Sequence, residues 1–336
     1  MKKILVISFM LCVVFIGCKK LSSPVAVEDP ITNTPTHAVT SNVTVINPSP
    51  TPTFTPTSVM PLYVLGGSDG DSGQFYEPQG IAVDSTGNIY VADARNHRIQ
   101  KFTSEGVFIT KWGSVGSGDG QFKYPTGIAV DTTGNIYVVD LNNNRIQKFT
   151  SDGVFITKWG SEGTGDGQFK SPWSIVVDYN GEIYVTEYYR IQKFTSAGVF
   201  ITKWGSYGNG DGQFNNPFGV AVDSTGNVYV ADSGNNRIQK FTSAGVFITK
   251  WGNYGTGDGE FYEPRGIAVD STGNIYVTQF YRIQKFTSAG VFISKWGSFG
   301  YDAGQFRGPC GITEDSTGSV FVLENDNNRI QKFAPQ

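Results

Sequence analysis

The sequence predicts an all-β fold, a six-bladed β-propeller of four-stranded antiparallel sheets, and three observations predict it. A Gln/Glu-Phe pair returns at Phe75, Phe122, Phe169, Phe214, Phe261 and Phe306, in steps of 47, 47, 45, 47 and 45 residues. Each unit holds four short runs of β-branched and aromatic residues. The last unit stops one run early, and a similar run precedes the first unit. Periods of this size belong to propellers or solenoids.

In chain order, residues 1–17 read as a signal peptide. Lys2 and Lys3 precede an apolar stretch from Ile4 to Ile16, short for a membrane span, which ends at Gly17. The "VFIGC" closing it resembles a bacterial lipobox. That resemblance implies cleavage before Cys18 and a lipid on Cys18, although Phe15 replaces the commoner leucine. Residues 18–58 are rich in Pro, Thr and Ser, as in "NPSPTPTFTPTS", and are expected to form an extended or disordered tether. Its roughly 40 residues reach at most ~120 Å at ~3.1 Å each. The propeller, residues 59–336, is therefore expected outside the cytoplasm, standing clear of a bacterial membrane that holds its lipid anchor.

One unit reads "GQFKYPTGIAVDTTGNIYVVDLNNNRIQKFTSDGVFITKWGS". Its strands are "GIAVD", "NIYVVD", "RIQKF" and "VFITKW". "DTTGN" and "TSDG" are tight turns that close on glycine. Apolar residues occupy both faces of the strands, so each sheet must lie between neighbours, which a radial arrangement supplies. The glycine-rich phrase before each Phe, such as "GSVGSGDGQF", links one sheet to the next. A phosphate loop would open a helix, and a strand follows here. Its aspartates lack the spacing of an EF-hand loop. It reads as a structural turn, with Phe as an anchor.

The sixth unit ends at "RIQKFAPQ". The segment 60–66 is expected to supply the missing outer strand, with "PLYVLGGS" laid on "VFITKWGS". That alignment puts Leu62 in the Phe place, Tyr63 in the Ile place and Gly67 on the final Gly. The tether then joins at the lower end of the last sheet.

The "P-x-G-I-A-V-D", "G-N-I-Y-V-A-D" and "N-x-R-I-Q-K-F" segments resemble NHL repeats. The resemblance runs from Met60 to the C-terminus and implies a six-bladed propeller used mostly for binding. Some members are sensor domains of bacterial kinases, others bind RNA or protein, and a related lyase holds a metal in the central channel.

Differences among near-identical copies point to a site. The strand directions put the sheet-to-sheet connectors and the links between second and third strands on one face, here the top. The residue after each strand-opening Pro is Gln79, Thr126, Trp173, Phe218, Arg265 or Cys310, around the channel mouth. Units three and five have shortened second links, which place Tyr188, Tyr189, Phe280 and Tyr281 on the same face. Gln79, Thr126, Trp173, Phe218, Arg265 and these four aromatics are the candidate ligand-binding residues. Asp93, Asp140, Glu187, Asp232, Gln279 and Glu324 form a mostly acidic ring beside six arginines, expected to pair within each sheet. His97 replaces an Asn and is expected to be surface variation. Glu314 replaces a Val of the inner strand.

Composition bounds the chemistry. The formal charge of −3 with 16% charged residues argues against nucleic-acid binding. Only His37 and His97 are histidines, which disfavours zinc sites and triads. Cys310 is the single cysteine of the repeats, so no disulfide framework is available. The expectation is a monomeric, non-catalytic, membrane-tethered propeller without cofactor that presents its top face to a protein, peptide or glycan. The alternatives are a lyase- or lactonase-type propeller enzyme with a channel metal, and a structural spacer or adhesin.

Overall fold

The computed structural model describes residues 59–67 and 71–336. The signal peptide, Cys18 and the tether lie outside the described residues. Six four-stranded antiparallel sheets form the ring. Blade 2 serves as the template: β6 (Pro125–Val130), β7 (Ile136–Asp140), β8 (Arg145–Phe149) and β9 (Phe155–Trp159). Blades 1, 3, 4 and 5 repeat this order. Blade 6 is β22 (Pro309–Glu314), β23 (Val320–Glu324), β24 (Arg329–Phe333) and the N-terminal β1 (Tyr63–Gly66).

Strand β7 is buried along its whole length, because a neighbouring sheet covers each face. The outer β9 alternates half-buried and exposed residues, as a strand with one solvated face should. All six Phe of the repeated pair are fully buried. Phe122 sits among Tyr90, Ile99, Ile128 and Phe149 of blades 1 and 2, which confirms it as a wedge between sheets. Trp112 of the outer strand crosses the same seam to Gly153 in the next blade's turn. Gly153 has φ +83°, and a Cβ there would lie 2.5 Å from the indole.

The glycine-rich connectors are closed turns. In the first complete one, Phe122 N–H donates to Ser114 O (2.8 Å) and Gly116 N–H donates to Phe122 O (3.1 Å). Asp119 of this connector takes an ion pair from Lys158 at 2.6 Å. Among the described residues, no three His, Cys, Asp or Glu side chains converge as metal ligands would.

Strand β1 closes the ring against β24, with one correction to register. Tyr63 faces Lys332, Val64 faces Gln331, Leu65 faces Ile330 and Gly66 faces Arg329. In blade 2, Ile146 faces Trp159 and Lys148 faces Thr157. Leu65 therefore holds the Trp place, Tyr63 the Thr place and Gly66 the final Gly place, one residue off the expected alignment. The strand is also shorter than the expected 60–66, although Leu62 N–H still donates to Lys332 O. A one-residue slip exchanges the two faces of a strand. Tyr63 and Leu65 accordingly pack on the closing seam, while Leu62 and Val64 are exposed. Burial of Tyr63 and Leu65 contributes up to ~1.5–3 kcal/mol each. Val59 packs on the seam between blades 5 and 6, beside Gly304 of a connector. The chain thus reaches β1 along the flank and not through a bottom turn.

Candidate functional site

The inner strands enclose a central channel with a cavity of about 250 Å³, walled mainly by Ile, Ala and Val. That is below the ~300–1,000 Å³ of a typical small-ligand pocket, so the channel itself is too small to enclose a sizeable molecule. At the mouth the six sequence-predicted positions divide in two. Gln79 and Thr126 are buried: Gln79 Nε2 donates to Tyr124 OH (3.0 Å) and Thr126 Oγ1 donates to Trp173 O (2.8 Å). Both act as internal ties. Trp173, Phe218 and Arg265 line the open side of the mouth. Trp173 and Phe218 meet edge to face at 4.6 Å, and the Arg265 guanidinium lies 5.7 Å from the Phe218 ring. Cys310 also lines the mouth, with Sγ 3.6 Å from Pro78 O.

The shortened links of blades 3 and 5 form two aromatic platforms on the same face. In blade 3, Tyr188 and Tyr189 lie 3.9 Å apart and Tyr189 meets Tyr207 at 4.7 Å. The Lys170 ammonium is 4.3 Å from the Tyr188 ring. A hydrogen bond with Tyr188, with burial second, pushes the Tyr189 phenol up to about 12. In blade 5, Phe280 and Tyr281 lie 3.7 Å apart, and Tyr281 meets Phe299 at 4.5 Å. Tyr262 extends this platform, 4.6 Å from Phe280, and Arg307 caps Phe299 at 5.5 Å. Sequence reasoning missed Tyr207, Tyr262, Phe299, Lys170 and Arg307. Each occupies a connector position that varies between copies, which was the available signal.

The shortened links carry a built-in compensation. The residue before each strand-opening Pro has positive φ: Glu77 46°, Tyr124 61°, Ser171 53°, Asn216 56°, Glu263 49° and Gly308 58°. Four of these N–H groups are held by the preceding blade's link. Glu77 N–H donates to Asn328 (2.7 Å), Tyr124 N–H to His97 Nδ1 (3.0 Å), Ser171 N–H to Asn144 (3.1 Å) and Glu263 N–H to Asn236 (2.9 Å). His97 thus does the work of the Asn it replaces, beyond simple surface variation. After blades 3 and 5, Tyr189 and Tyr281 stand in that place. There the pre-proline residue is Asn216 or Gly308, the types that adopt this conformation at least cost.

The acidic ring is internal wiring. Asp140 is fully buried, accepts from Arg145 Nε (2.7 Å) and from Lys123 N–H (2.7 Å), and the other carboxylates of the ring repeat the arginine pairing. Burial raises the carboxyls of Glu187, Asp232 and Glu324 despite these partners.

The NHL-repeat family pattern matches residues 75–102, 122–149 and 214–241, and a second β-propeller repeat family matches residues 257–278. The chain is an NHL-repeat β-propeller. The curated relatives match over short stretches. Protein brain tumor of Drosophila melanogaster is 51% identical over 47 residues, 14% of this chain and 4% of that protein. The B-box type zinc finger protein ncl-1 of Caenorhabditis elegans is 61% identical over 36 residues, 11% of this chain and 4% of that protein. Among solved structures, the NHL propeller resembles a gluconolactonase from Xanthomonas campestris at TM-score 0.60 and 15% identity, covering 79% of this chain and 88% of that one. It resembles virginiamycin B lyase from Staphylococcus aureus at TM-score 0.53 and 19% identity, covering 77% and 84%. Likeness at this identity shows the fold alone.

Proposed function

We propose that this NHL propeller is a non-catalytic binding module, held outside the cytoplasm by a lipid on Cys18 and a Pro/Thr-rich tether, and that its top face over blades 3–5 receives a ligand. The observation that carries this reading is the concentration of Trp173, Phe218 and Arg265 at the mouth, and of both aromatic platforms on the links of blades 3 and 5, within one half of the top face. On the other half, Gln79 and Thr126 are spent on internal hydrogen bonds. Rings of this kind supply apolar area with polar edges, which suits an amphipathic ligand. The lactonase and lyase likeness keeps an enzyme as the second reading, and the Ile, Ala and Val side chains that make up most of the channel lining, which cannot ligate a metal, favour the first.

Pull-down from envelope extract with the full chain tests the reading. A Trp173→Ala/Tyr189→Ala variant that melts like the wild type is expected to lose at least ~90% of its specific partner, since central aromatic anchors contribute about 2 kcal/mol or more each. Equal recovery by both proteins would sink it. Stoichiometric zinc or calcium in the pure protein, lost together with a hydrolytic or lyase activity, would transfer support to the enzyme.

A further inference from the structure

We infer that the top face over blades 3–5 binds one repeating, negatively charged glycan through both aromatic platforms at once. This rests on the binding reading above and names its ligand class. A duplication carries it. Tyr188, Tyr189 and Tyr207 occupy the same repeat positions as Phe280, Tyr281 and Phe299, two blades further on. Two equivalent sites about 120° apart on a six-sheet ring suit a ligand that itself repeats. A single compact ligand needs only one of them.

The rings are kept at a cost. Tyr188 has φ 26° and Phe280 has φ 36°. A two-residue link of this kind forms most readily with Gly in that position. Bulky side chains there hold the backbone in a strained conformation. The compensation at Asn216 and Gly308 shows the rest of the fold adjusted around these links.

Charge selects the ligand. Lys170 sits on the first platform, Arg307 on the second, and Arg265 between them over Phe218. Glu263 pairs with Arg265 at 3.5 Å, while Lys170 and Arg307 each lie over an aromatic ring, Arg307 over both Phe299 and Tyr301. Exposed rings accept the apolar faces of sugar units, while the cations and phenols hold carboxylates and hydroxyls. A peptide bound by β-strand addition would need an open sheet edge for its main chain. The links here are closed hairpins, with Glu187 paired to Arg190 and Gln279 to Arg282.

The test titrates the full chain in mild detergent with oligomers of galacturonate, guluronate and hyaluronate of graded length, and with neutral dextran. Tyr188→Gly and Phe280→Gly remove a ring and relax the backbone, so folding is retained, as a thermal melt would verify. At least one acidic series is expected to bind with affinity rising about 10²-fold once one chain spans both platforms. Either variant should abolish that rise and leave short oligomers within about twofold. The inference falls if dextran binds equally, if length has no effect, if both single variants hold long chains like the wild type, or if a proline-rich peptide binds in place of all three glycans. It also falls, with the binding reading intact, if no acidic series binds while Trp173→Ala/Tyr189→Ala still loses its envelope partner. Failure of both experiments overturns both readings.

Discussion

Glu314 is where the inner strand of blade 6 departs from the Val83, Val130, Val177, Val222 and Val269 of the other five. It lines the channel and accepts from Ser271 N–H at 3.1 Å. Burial, and then the nearby Asp270 charge, push its carboxyl up despite that hydrogen bond. A carboxyl raised in the folded state binds its proton more readily there than in the unfolded chain. Its cost is present above the raised value and disappears below the unfolded value of about 4.3. Glu314→Val is thus expected to lift the thermal midpoint by about 2 °C at pH 7, with the gain closing near pH 3. Calorimetry at both pH values checks this, and a gain independent of pH would refute the desolvation account. At this scale the sequence showed roles that repeat, such as the Phe wedges and the Arg–carboxylate pairs. It did not show that Gln79 and Thr126 are closed in. Their partners, Tyr124 OH and Trp173 O, come from the next blade, and their distance is set by blade packing that no single repeat spells out.

Strand β1 shows why existence of an element is easier to read than its register. The adjacent Gly66 and Gly67 offer two ways to match the Gly that ends each outer strand. Backbone geometry chooses Gly66, whose φ is +122° and whose added Cβ would lie 2.5 Å from Asn328 O. The choice turns Tyr63 inward, where its hydroxyl donates to Ser104 O at 2.9 Å. Two truncations separate the registers. Tyr63→Ala is expected to cost about 2–3 kcal/mol, as loss of a part-buried aromatic and its hydrogen bond. Leu62→Ala is expected to stay within about 0.5 kcal/mol, as an exposed site. Urea denaturation of both variants decides, and the opposite ranking would restore the glycine-matched alignment.

The ring as a whole is a set of six seams, and four of them share one contact. Trp112, Trp159, Trp204 and Trp251 rest on Gly153, Gly198, Gly245 and Gly290 of the next blade. At the closing seam Gly106 meets the Tyr63 ring instead, at 3.3 Å from its would-be Cβ, with Leu65 beside it. Blade number and closure were readable because the copies are nearly identical and one outer strand is missing from the end. The substitution at the seam was not, because it depends on the register of β1. If Tyr63 and Leu65 together fill the volume of one indole, then Leu65→Trp alone must collide with Tyr63. It is expected to cost about 1–3 kcal/mol by overpacking. Adding Tyr63→Thr recreates the Thr-x-Trp pattern of the outer strands of blades 1–4 and should recover most of that loss. The double-mutant cycle is then expected to show a favourable coupling of about 1–2 kcal/mol. Strictly additive costs in urea denaturation would mean that the two side chains do not share the seam, and that the ring is closed by backbone pairing to β24 alone.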